Sequence, residues 1–368
     1  MRKSKYVGLL SFQDAINYGA ILQLFALQSS IESLGYNVDV IDYDCKGITS
    51  QYNFVSLKSR YSKKKILKKN VSYFYHFFKK RRIHRFKAER LNLTQRYDNH
   101  SIREVKDRYS AVIVGSDQVW NPLCTQKDET YFLQFVESTR RIGYAVSLGN
   151  SENLKLYNSD VSAYISNFYA VSIREVNDLN LMLSLGAKNC VQVLDPVFLL
   201  SKEIWGRLIS EVKFENYIFV YELRKNSILW NTVKNLASTE KKTVVYVSKS
   251  ISRDFEVIFK KGMIALPNIS VEMFLSLVYH SDLIITDSFH GAALSILFNK
   301  EFIAVKNPDK FNTNQRLESL VSTLSINSVL IDKELAKIGT KIDYKSVNKK
   351  VSNLRKISYE FLKNSLEA

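Results

Sequence analysis

Apolar residues recur along this chain in two alternating periods. Runs of four to seven, rich in Val, Ile, Leu, Tyr and Ala, predict strands at 6–10, 38–43, 111–115, 141–147, 169–173 and 191–194. A 3.6-residue period over 20–34 predicts a helix, with Ile21, Leu24, Leu27, Gln28, Ile31 and Leu34 along one side and Gly35 as its C-terminal cap. Strand, helix and strand make a β-α-β unit, the start of a doubly wound parallel sheet. It carries no GxGxxG, so a dinucleotide is not indicated. A second alternation begins near Tyr217. Strands are predicted at 217–221, 243–248, 282–286 and 302–305, with helices over 227–237 and 270–279. The second of these helices aligns Val271, Phe274, Leu275 and Val278. A basic amphipathic helix over 346–366 ends the chain. The fold class is therefore α/β: two Rossmann-like β/α domains facing across a cleft. Residues 1–200 form the first, 201–345 the second and 346–368 the terminal helix. The boundary is expected between Asp195 and Asn216.

Small or charged residues follow directly after most of these strands. They are Ser116-Asp117-Gln118, Leu148-Gly149-Asn150, Arg174-Glu175 and Asp195-Pro196. Parallel strands bring their C-terminal ends to one edge of the sheet, where open α/β folds bind ligands. The fullest such turn is Thr286-Asp287-Ser288-Phe289-His290-Gly291-Ala292. It joins an apolar strand to a helix N-terminus, whose N–H groups and dipole favour an anion. A phosphate or carboxylate site is the functional reading. An ordinary strand-to-helix turn with an incidental histidine is the alternative.

The 368 residues are 46% hydrophobic, enough for two cored domains. Cys45, Cys124 and Cys190 lie far apart and form no CxxC, so no structural zinc or other metal site is expected, and a reducing compartment fits. Met1-Arg2-Lys3-Ser4-Lys5 resembles a signal n-region, but Gln13 and Asp14 break the apolar run after it. No run approaches the length of a membrane-spanning helix.

Charge is distributed unevenly. The net charge is +17, and residues 56–90 hold fourteen Lys/Arg against Glu89 alone. Tyr61, Tyr73, Phe74, Tyr75, Phe77, Phe78 and Phe86 interleave with them, and Ile66, Val71, Phe74, Phe77 and Phe78 fall near helical spacing. The insertion reads first as an element for an anionic membrane surface. The second reading is a core-packed helix with a basic outer face. Nucleic acid ranks last, since no recognised nucleic-acid module is present.

Taken in order, Asn17-Tyr18-Gly19-Ala20, Gly115-Ser116-Asp117, Ser172-Ile173-Arg174-Glu175, Asp195-Pro196, Thr286-Asp287-Ser288-Phe289-His290-Gly291 and the late Arg316 resemble the polysaccharide pyruvyl transferase family. The resemblance runs from about Gly8 to Ser325. It implies two Rossmann-like domains in a glycosyltransferase-B-like arrangement, with phosphoenolpyruvate as donor and a sugar diol as acceptor. The product would be a pyruvate ketal, and no cofactor is needed beyond the donor. Many family members carry Arg two residues before the motif histidine, where this chain has Ser288.

On that resemblance, the donor would be held by Arg174, His290, Ser288, Gly291 and Arg316. A planar guanidinium grips carboxylate or phosphate bidentately. His290, a side chain suited to carrying protons near neutral pH, would contact the phosphate or protonate the leaving group. Asp117 and Asp287 are the acid/base candidates, with a helix N-cap as the bland role for Asp287. Asn17 and Tyr18 would hydrogen-bond the acceptor and Trp120 would stack on it; Trp120 is otherwise core. Arg174 has a bland alternative in a salt bridge to Glu175 or Asp178, and Arg316 in one to Glu318. Asp195 reads as a turn residue. Surface polysaccharides are often built on lipid-diphosphate carriers. The expected setting is therefore cytoplasmic, peripheral on the inner face of the membrane, with a lipid-linked acceptor. A glycosyltransferase using a nucleotide-activated sugar is the alternative enzyme.

Overall fold

The computed structural model describes residues 5–50, 62–105, 108–308, 314–335 and 341–367. The signal-like residues 1–4 and the opening of the basic insertion, 56–61, lie outside the described residues. The chain forms two compact units. One comprises Met1–Phe74, Ile83–Leu200 and Ser352–Ala368; the other comprises Tyr75–Arg82 and Ser201–Val351.

The first unit is built on β1 (Tyr6–Leu10), β2 (Asn37–Tyr43), β3 (Leu93–Tyr97), β4 (Ala111–Asp117), β5 (Arg140–Val146), β6 (Ala170–Ile173) and β7 (Val191–Gln192). All pair in parallel, in the order β3-β2-β1-β4-β5-β6-β7. The order reverses between β1 and β4, the kind of switch point at which such sheets open a crevice. Every residue of β4 is buried, which is why the central strands read as unbroken apolar runs. The helix Tyr18–Ser33 covers one face, packing Leu24, Leu27 and Ile31 with Val7, Leu9 and Ile113. Gly115 permits that approach, since a Cβ there would lie 2.4 Å from Leu27 Cδ2. Leu362 and Leu366 of the terminal helix Tyr344–Glu367 join the same core. That helix, expected as a segment apart, has no core of its own.

The second unit holds β8 (Tyr217–Glu222), β9 (Thr243–Ser248), β10 (Met263–Ala265), β11 (Leu283–Thr286), β12 (Glu301–Val305) and β13 (Leu330–Ile331). They are again all parallel, in the order β10-β9-β8-β11-β12-β13. The switch falls between β8 and β11. The strands that the sequence pattern did not reveal, β3, β10 and β13, are all edge strands. Edge strands bury little, so they need no apolar run.

The basic insertion forms one long helix, Lys63–Arg90. Near its C-terminal end Ile83 and Phe86 are buried. Lys87 is buried too, with its ammonium 2.9 Å from Asp14 Oδ1, while Arg96 lies 2.8 Å from Asp14 Oδ2. Burial alone would raise the Asp14 pKa, but Lys87 and Arg96 outweigh it and hold the carboxyl below its usual range. The polar break after β1 thus anchors the insertion. Asp14→Ala strands the Lys87 charge and is expected to cost about 3 kcal/mol in urea unfolding. Glu89→Ala, which removes the partner of the exposed Arg85, is expected to cost less than about 0.5 kcal/mol. Equal losses would show that Asp14 carries no special weight.

Candidate active site

In the first unit the polar turns gather where predicted, at the carboxyl edge of the sheet. Arg174 follows β6, and its Nε donates to Glu175 Oε1 (2.9 Å) while Nη1 donates to Asp195 Oδ2 (2.8 Å). Ser116 Oγ donates to the same Asp195 oxygen (2.9 Å), and Asp195 Oδ1 accepts from Val197 N–H (3.1 Å). Burial opposes the Arg174 charge, but Glu175 and Asp195 outweigh it and push its pKa up. The guanidinium expected to clamp an anion is held through its Nε and Nη1 by two carboxylates. Asp195 serves as the turn residue that its position before Pro196 suggested.

Asp117 ends β4 with φ +69°, a left-handed conformation unusual for a non-glycine residue. Its carboxylate accepts from Gln118 N–H (2.9 Å), and its carbonyl from Ser147 N–H (3.1 Å). Strain of this kind gathers at functional sites. Asn17 caps the helix Tyr18–Ser33, accepting from Gly19 N–H (3.0 Å), and stays partly exposed. Tyr18 is completely buried. Trp120 is also completely buried, stacked on Phe132 and donating Nε1–H to Tyr131 O (3.0 Å). With no exposed face to offer a sugar, Trp120 is a core residue, and Tyr18 presents no surface either.

In the second unit β11 delivers the histidine turn. Thr286 Oγ1 donates to Tyr221 O (2.7 Å) and accepts from Ser288 N–H (3.0 Å), which locks the turn to β8. Ser288 caps the helix Phe289–Leu297, its Oγ accepting from Gly291 N–H (3.3 Å). Gly291 is required there, because a Cβ would lie 2.5 Å from Thr286 Oγ1. His290 sits in the helix's first turn, 3% exposed. Arg316 lies in the separate helix Gln315–Thr323, partly exposed, and the neighbouring Glu318 pairs with Lys306 at 2.8 Å.

The cap role considered for Asp287 belongs to Ser288. Asp287 reaches the other way, accepting from Leu223 N–H (2.7 Å) and Arg224 N–H (3.0 Å) in the loop after β8. Burial, opposed by those N–H groups and aided by Glu222, pushes its pKa up to about 7. Glu222 ends β8, 1% exposed, and accepts from Arg253 Nε (2.8 Å), Tyr246 OH (2.9 Å) and Asn226 N–H (2.9 Å). The Arg253 guanidinium lies 4.4 Å from the centroid of the Trp230 ring. Asp254 accepts from Ser248 Oγ (2.8 Å), and burial raises its pKa to about 7. This cluster went unread in the sequence. Glu222-Leu223-Arg224 follows an apolar strand just as Arg174-Glu175 does, and the same rule applied there would have found it.

With its pKa raised to about 7, the Asp254 carboxyl is protonated in the fold below that pH. Its contribution to stability is complete below about pH 4, its unfolded pKa, and is lost as pH rises through about 7. Asp254→Asn keeps the shape without the titration. The stability of the variant relative to wild type is therefore expected to improve by up to about 3 kcal/mol between pH 4 and pH 8. Urea unfolding at both pH values checks this, and a pH-independent difference would refute it.

The family model for polysaccharide pyruvyl transferase matches residues 17–309, which include every motif named above except the position of Arg316. No curated protein matches the chain in sequence. Among solved structures, a Listeria monocytogenes protein assigned as a UDP-N-acetylglucosamine 2-epimerase is similar at TM-score 0.51 and 9% identity, over 98% of this chain and 91% of that one. UGT89C1 of Arabidopsis thaliana is similar at TM-score 0.50 and 12% identity, over 98% of both chains. At such identities the likeness speaks to fold alone, here the glycosyltransferase-B-like fold of two Rossmann-like units. Through the family match over most of its length, this chain belongs to the polysaccharide pyruvyl transferase family.

Proposed function

We propose that this transferase moves the enolpyruvyl group of phosphoenolpyruvate onto two hydroxyls of one sugar in a surface-polysaccharide precursor carried on a lipid diphosphate. The observation that carries the reading is the turn at the end of β11. There a buried carboxyl poised near neutral pH, Asp287, adjoins a helix N-terminus and His290.

The chemistry balances as follows. The methylene carbon of the donor takes a proton and becomes a methyl group. Two sugar oxygens bond to the adjacent carbon, whose bond to the phosphate oxygen breaks. Of the two hydroxyl protons released, one replaces the proton given to carbon and the other leaves with phosphate. The reaction needs a proton donor, a basic group and a cradle for the leaving phosphate. Asp287, neutral below about pH 7, is assigned the donation to carbon. His290 and the N–H groups at the start of its helix are assigned the phosphate.

Phosphate release from phosphoenolpyruvate, measured with lipid-linked acceptor glycans, tests the assignment. Asp287→Asn is expected to lower turnover by about 100-fold while leaving donor affinity within a few-fold. Wild-type turnover is expected to fall as pH rises above about 7, as the Asp287 proton is lost. His290→Ala is expected to weaken donor binding in calorimetry by about tenfold. Consumption of a nucleotide sugar with no phosphate release from phosphoenolpyruvate would overturn the proposal.

A further inference from the structure

The helix Lys63–Arg90 has two unlike sides. One is embedded: Lys79, Ile83, Phe86 and Lys87 are each no more than 3% exposed. The other carries Leu67, Val71, Phe74 and Phe78, spaced i, i+4, i+7 and i+11 and therefore aligned along one face. They are 67%, 49%, 63% and 59% exposed, and Phe77 beside them is 43% exposed. Of the apolar stripe read in the sequence, only Ile66 turns inward. The outward line continues toward the C-terminus as Arg81, Arg82 and Arg85, all exposed.

A run of large apolar side chains in water is costly, and on a monomer such a patch marks an interaction surface. Two occupants match its shape: a second copy of the helix, or the boundary layer of a bilayer. Charge decides between them. The insertion 56–90 holds fourteen cations against one acid, so a second copy would bring like charges together. An anionic membrane surface complements it instead. Aromatic side chains there enter the acyl boundary while flanking cations meet the head groups. Among the described residues no helix is long and apolar enough to cross a membrane, so the contact lies in the interface plane.

We propose that the outward face of the helix Lys63–Arg90 docks the protein on an anionic lipid surface, with Phe74 and Phe78 entering the interface and Arg81, Arg82 and Arg85 engaging head groups. The proposal goes beyond the transfer reaction and does not depend on it, because docking is measured without donor or acceptor.

Co-sedimentation with vesicles of phosphatidylcholine alone, or of phosphatidylcholine mixed with phosphatidylglycerol, tests the surface. Wild type is expected to bind the anionic vesicles at least about tenfold more tightly, and to lose most of that binding as salt rises from about 0.1 M to about 0.5 M. Phe74→Ser with Phe78→Ser is expected to weaken binding about tenfold or more. Arg81→Gln, Arg82→Gln and Arg85→Gln together are expected to remove the preference for anionic lipid. These side chains are exposed, and unchanged thermal midpoints show that each variant folds. Equal binding of wild type to both vesicles would overturn the proposal, as would full binding by the phenylalanine variant. So would a concentration-dependent dimer, abolished in the phenylalanine variant, from a protein that ignores vesicles.

Discussion

A parallel sheet buried on both faces leaves polar side chains one place to converge, the loops beyond its carboxyl ends. Both units of this protein obey that constraint, and both answer it with a buried guanidinium held by carboxylate. Arg174 is gripped by Glu175 and Asp195 in the first unit. Arg253 is gripped by Glu222 in the second. The carboxylates in each knot also accept from neutral donors. Ser116 and Val197 complete the shell around Asp195, as Tyr246 and Asn226 do around Glu222.

These knots set Asp287 apart from its better-paired neighbours. Glu222 is committed to Arg253 through two hydrogen bonds. Asp287, one strand away, receives peptide N–H groups, and feels the Glu222 charge as a repulsion. Burial and that neighbouring charge raise the Asp287 pKa against the pull of the peptide N–H groups. The serine at position 288 belongs to the same design. Its hydroxyl closes the first turn of the histidine helix, a role an arginine side chain would not fill.

Much of this was legible in the sequence, and the limits have physical causes. Central strands such as β4 and β8 announce themselves because burial on both faces demands continuous apolar residues. Edge strands such as β3 and β13 carry no such demand and were invisible. The histidine turn was found because its residues are local to one another. The partners of Asp287 lie more than sixty residues away along the chain, at Leu223 and Arg224, and no periodicity reports such a pairing. Trp120 misled for a related reason. Residue type suggests what a side chain can do, whereas the Phe132 ring had already engaged its face and Tyr131 O its N–H.

The basic insertion shows the same distinction between composition and placement. Counting charges treats Lys87 and Arg85 alike, yet they stand on opposite sides of one helix. Lys87 is buried against Asp14, whereas Arg85 is exposed and pairs with Glu89, one turn on along the same helix. The fold therefore accounts for the inward cation and not for the outward ones. Nor does it account for Phe74 and Phe78, whose exposure contributes nothing to the core. A helix needs one apolar face to pack, and this one has that face in Ile83 and Phe86. A second apolar face, lined by Phe74 and Phe78 and followed by exposed arginines, takes no part in that packing.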